Sequence, residues 1–121
     1  MYKVAIITHF SAAHKIIGYK GKCSNLHGHN WKIKVEVLAN KTNEIGICID
    51  FKELKAITNK VIEKFDHKYL NDLDSFKDNN PTAENISRYL FTKINPLLPE
   101  GIKMDSVTTW ETDKYSINYS E

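Results

Sequence analysis

The chain has 121 residues, 41% of them hydrophobic and 26% charged, with a formal net charge of +2. This is the composition of one globular domain spanning residues 1–121; it excludes disordered and disulfide-stapled secreted classes. The balance is too mild and the lysines too scattered for a nucleic-acid-binding stripe, and no apolar run approaches the roughly 20 residues of a membrane span. The start MYKVAIITHF has no basic n-region or cleavage site, so a cytoplasmic location is expected, with Cys23 and Cys48 as thiols.

Tyr2 to Phe10 forms the first predicted strand, with Val4, Ile6 and Phe10 alternating with Lys3 and His9. From His29 a second strand sets Trp31, Ile33, Val35 and Val37 on one face and Lys32, Lys34 and Glu36 on the other. A polar hairpin loop, Asn40 to Glu44 with Gly46, leads into a short predicted strand at Ile47-Cys48-Ile49.

Asp50 caps a first predicted helix, with Glu53 in capping-box position. Phe51, Leu54, Ile57, Val61 and Phe65 make its apolar stripe, and Asp66-His67 marks its end. An Asn- and Asp-rich loop runs to Pro81. Thr82 then caps a second helix that buries Ile86, Leu90, Ile94 and Leu97 before Pro96 and Pro99 stop it. Strands follow at Ile102–Glu111 and Tyr115–Tyr119, with a turn at Thr112-Asp113-Lys114. This order implies an α+β fold, an antiparallel β-sheet with two α-helices on one face. The other sheet face is left open or meets a second subunit.

His27 and His29 are two residues apart in an extended segment, so their imidazoles project to one side, with Gly28 giving the backbone room. His14 supplies a third nitrogen if the first two strands pair. Three histidines and an open position are the donor set of a catalytic zinc site; a polar turn entering a strand is the plainer reading. Cys23, in the polar segment Lys22–Asn25, is either a fourth ligand closing a structural site or a thiolate base with a lowered pKa. Cys48, between two isoleucines, reads as core packing. Asp66-His67 is a carboxylate–imidazole pair suited to proton transfer, or a solvated helix end. Glu111 is a surface carboxylate by alternation, or a buried anchor for paired N–H donors.

FSAAH ending at His14, the Cys23–His29 segment with HGH, GICIDFKELK, FDHKYLND, NPTAEN and WET occur in that order within the chain. Together they resemble the 6-pyruvoyl-tetrahydropterin synthase family, and within it the carboxy-forming branch of queuosine-precursor biosynthesis. The resemblance implies a zinc centre on His14, His27 and His29. It implies a catalytic Cys23 that is not a ligand, a catalytic Asp66-His67 pair, and pterin binding by Glu111 and Thr82. It further implies the tunnelling fold, in which subunits join into an oligomeric β-barrel of trimers or hexamers with sites between subunits. The implied reaction converts 7,8-dihydroneopterin triphosphate to 6-carboxy-5,6,7,8-tetrahydropterin, releasing acetaldehyde and triphosphate. Three residues separate Cys23 from His27, where the pyruvoyl-forming enzymes typically have five. Lys15 stands where an arginine is common and keeps a positive charge without bidentate geometry. The rival reactions are triphosphate elimination without C–C cleavage, giving 6-pyruvoyl-tetrahydropterin, and no reaction at all in a structural zinc-binding interaction module.

Overall fold

The computed structural model describes residues 1–21 and 25–121. Its sheet contains β1 (Tyr2–His14), β2 (His27–Ala39), β3 (Lys68–Tyr69), β4 (Ile102–Thr112) and β5 (Tyr115–Tyr119), in the order β3-β1-β2-β4-β5. All neighbours are antiparallel except β3, which runs parallel to β1. Helices α1 (Phe51–Ile62) and α2 (Ala83–Ile94) touch each other; α1 packs on β1, and α2 on β4 and β5.

Alternation in β2 decides which face is covered. Trp31, Ile33, Val35 and Val37 are fully buried under the helices with Leu54, Ile86, Leu90 and Ile94. A side chain of this size contributes roughly 1.5–3 kcal/mol when buried, so this row dominates the core. Phe10 stacks on Trp31 at 5.9 Å between ring centroids and extends the same layer from β1. Two polar links cross it: the Thr8 hydroxyl donates to Asn59 at 2.7 Å, and the Ser87 and Thr109 hydroxyls meet at 2.7 Å. The opposite face is open, with Ile7 and His9 exposed and Lys32, Lys34 and Glu36 half-buried.

Both helix starts are capped as expected, Asp50 accepting from the Lys52 N–H and Thr82 from the Asn85 N–H. β1 runs to His14, the small residues Ser11, Ala12 and Ala13 continuing the pairing with β2. Three expectations need correction. Ile47–Ile49 is not a strand: Asn43 takes the N–H groups of Ile45 and Ile47 onto its side chain, curling the segment into a local turn. Helix α1 stops at Ile62, and i→i−3 bonds from Lys64 and Phe65 tighten the chain into a run of turns, so Asp66-His67 lies beyond the helix. The apolar stripes also lose their phase at the helix ends. Phe51, the first residue of α1, is exposed, and so is Leu97, in a 3₁₀ turn after Pro96.

Candidate metal centre

The β1–β2 register pairs His14 with His27 and Ala12 with His29. All three histidines therefore have the parity of the helix-covered face, at the end of the sheet where Trp31 closes the core. Trp31 meets the His14 ring at 4.9 Å and the His29 ring at 5.3 Å, both edge-on, and gives the cluster an apolar floor. Glu111 reaches the same point from the end of β4. One ligand atom from each of His14, His27, His29 and Glu111 lies within 4.8 Å of all the others.

Backbone carbonyls orient two of the rings. His14 Nδ1 lies 2.8 Å from the Pro81 carbonyl oxygen, and His27 Nδ1 lies 2.7 Å from that of Asn25. A carbonyl only accepts, so each Nδ1 carries a proton, and in the neutral ring each Nε2 presents a lone pair. Those two Nε2 atoms stand 3.0 Å apart. Two lone pairs at that distance repel unless a cation lies between them. His29 Nε2 is buried with no hydrogen-bond partner, which is costly for a polar atom without a ligand. Burial holds the His29 imidazole below its ordinary value of 6.5, against the pull of Glu111, and so keeps it neutral. The donor set, neutral nitrogens with one carboxylate in a pocket floored by an aromatic ring, suits a borderline ion such as Zn²⁺.

Glu111 also faces a cavity of about 410 Å³, lined by Thr82, Ala83, Glu84, Ile16, Tyr19 and Tyr115 among others. The structure thus places Glu111 and Thr82 on one hollow, next to the histidine cluster. Asp66 and His67 are elsewhere. Asp66 accepts the Ser11 N–H at 3.0 Å, which holds its carboxyl below the ordinary 3.8, and lies 3.1 Å from His67 Nδ1. His67 has a left-handed backbone with φ of 59° and a side chain 82% exposed. It borders a second hollow, of about 540 Å³, with His29, Ser11, Ala13, Gly28 and Asn30. Among the described residues, neither member of the pair contacts His14, His27 or Glu111. Cys23 lies outside the described residues. Cys48 is a half-buried free thiol.

Sequence reading missed the groups that hold the cluster in place. Pro81 acts through its carbonyl, which leaves no mark in a sequence. Asn71 pairs with the backbone of Lys15 through both ends of its amide, at 2.9 and 2.8 Å, and Asn80 does the same to Ile17, at 3.0 and 2.8 Å. These two amides pin the chain just after His14. Both fall within quoted motifs, Asn80 in NPTAEN and Asn71 in FDHKYLND, but nothing in the sequence said which backbone they bind.

Residues 3–121 match the family described as 6-pyruvoyl tetrahydropterin synthase. The chain belongs to the 6-pyruvoyl tetrahydropterin synthase family. It is therefore an enzyme of that family, and its α+β fold is that of the family's solved structures. An Archaeoglobus fulgidus protein provisionally named 6-carboxy-5,6,7,8-tetrahydropterin synthase is 45% identical, over 91% of this chain and 88% of its own. The Rickettsia felis 6-carboxy-5,6,7,8-tetrahydropterin synthase is 38% identical, over 76% of this chain and 79% of its own. The solved Caenorhabditis elegans 6-pyruvoyl tetrahydropterin synthase superposes with a TM-score of 0.89 at 28% identity, covering 99% of this chain and 95% of that one.

Proposed function

We propose that this chain is a zinc-dependent lyase that converts 7,8-dihydroneopterin triphosphate to 6-carboxy-5,6,7,8-tetrahydropterin, releasing acetaldehyde and triphosphate, in queuosine biosynthesis. The observation that carries the reading is the convergence of three imidazoles beside a cavity that Glu111 and Thr82 line. The carboxy-forming product is supported by the three-residue spacing from Cys23 to His27 and by relatives of that name at 45% and 38% identity.

His14, His27 and His29 would hold the zinc. When bound, the ion supplies Lewis acidity that makes hydroxyls and their neighbouring C–H bonds more acidic. Glu111 offers two acceptor oxygens to the adjacent N–H donors of a pterin ring, and Thr82 adds a polar contact at the start of α2. Together they set the substrate's side chain toward the histidines, a positioning effect. Cys23 is the proposed base, taking a side-chain proton. His67 is the proposed shuttle: Asp66 at its Nδ1 fixes the ring so that Nε2 is free to give and take protons. The exposed Lys15 lies next to His14 in the chain and suits the triphosphate by charge. Because His67 opens on a different hollow from Glu111, the pair is proposed to serve a neighbouring chain's cavity, in a cytoplasmic homo-oligomer, trimer or hexamer.

The test is incubation of the zinc-loaded protein with 7,8-dihydroneopterin triphosphate and identification of products by mass. A carboxylated tetrahydropterin together with acetaldehyde supports the proposal. A product that keeps its three-carbon side chain would assign the chain to the pyruvoyl-forming reaction instead.

A further inference from the structure

The geometry points to a second task for Glu111: we propose that without substrate it is the fourth ligand of the ion held by His14, His27 and His29, and that it leaves the ion to hold the ring when a pterin enters. The inference rests on the proposed function only for its second half.

Three observations carry it. The first is distance. A tetrahedral ion bound to nitrogen and oxygen at roughly 2.0–2.1 Å separates its ligand atoms by about 3.3 Å. Glu111 Oε1 lies 3.3 Å from His14 Nε2 and 3.9 Å from His29 Nε2, and His14 Nε2 lies 3.0 Å from His27 Nε2. Two of the six edges of such a tetrahedron are thus within about 0.3 Å of that length and a third is somewhat longer, all four atoms lying within 4.8 Å of one another with Glu111 at one corner.

The second is the accounting of protons. His14 donates its Nδ1–H to the Pro81 carbonyl, so Nε2 is the atom that faces the carboxylate. An extra proton on His14 would satisfy Glu111 and His27 and still leave His29 Nε2 buried and orphaned. One metal ion satisfies all four atoms at once.

The third is mobility of the right kind. The β4–β5 register shifts between Trp110 and Thr112, so Glu111 is an extra residue without a partner in β5. Bulges commonly sit where a side chain is re-aimed at a site. The carboxylate is half-buried and borders both the cluster and the cavity, so a side-chain rotation moves it from one to the other.

The test uses Co²⁺ as the probe, added to metal-stripped full-length protein with no pterin present. Glu111→Gln should bind Co²⁺ at least tenfold more weakly than the wild type, and its visible bands should change because a ligand has been lost. An infrared difference spectrum of the wild type, with and without metal, needs no variant and should show one carboxylate shifting on metal addition. Adding an unreactive oxidised pterin should then move the wild-type cobalt bands toward those of the variant. Identical cobalt spectra in both proteins, or no carboxylate shift in the wild type, would overturn the proposal. Since the metal measurements contain no pterin, they stand or fall separately from the lyase reading.

Discussion

At the scale of single residues the cluster is built from three imidazoles and a carboxylate, and its behaviour follows from that. His27→Ala should strip most bound zinc, while Cys23→Ala should keep it and lose turnover. Metal analysis of the two purified variants checks this, and loss of stoichiometric zinc from the Cys23 variant would revive the closed structural site. Glu111→Gln should weaken pterin capture more than Asp66→Asn, since an amide offers one acceptor where the carboxylate offers a charged pair. The lost bond should cost on the order of 1.5–3 kcal/mol, read as substrate affinity. The metal-free protein should also lose stability on mild acidification. Burial lowers the folded-state value of His29 below 6.5, so the unfolded chain binds the proton more readily. Stability is then full above 6.5 and falls as pH drops through the lower folded value. As the pH falls, the melting temperature of the metal-free wild type should drop relative to that of His29→Gln. Much of this was legible beforehand, because His27 and His29 share a parity whatever the strand's register. The Pro81 carbonyl was not legible, because every residue has one.

At the scale of elements, periodicity recovered β2, both helices and their caps, since those segments carry their whole pattern within themselves. It failed where a distant partner decides. Ser11, Ala12 and Ala13 have little strand character of their own, and only pairing with β2 carries β1 to His14. Lys68–Tyr69 is a strand only by lying against Ala12 and Ala13. The segment Asn80–Thr82 does three things at once: Asn80 pins Ile17, Pro81 orients His14, and Thr82 caps α2. Thr82→Ala should therefore cost about 1 kcal/mol of stability through the cap alone, measurable by urea unfolding of the metal-free protein. A loss of metal affinity beyond that cost would show the cap and the His14 support to be mechanically linked.

At the scale of the whole molecule, the residues proposed for the chemistry face two hollows. Glu111 and Thr82 line one hollow, whereas His67 lines another, which it shares with His29. The sheet's uncovered face offers a surface on which a second copy can bring the two halves together. Cys23→Ala and His67→Ala, each expected to be inactive alone, can be unfolded together and refolded as an equal mixture. With random assortment, roughly a quarter of shared sites regain both intact halves, so activity should return to about that fraction of wild type. Co-assembly of the two variants, confirmed with a tagged partner, without any recovered activity would contradict the divided site.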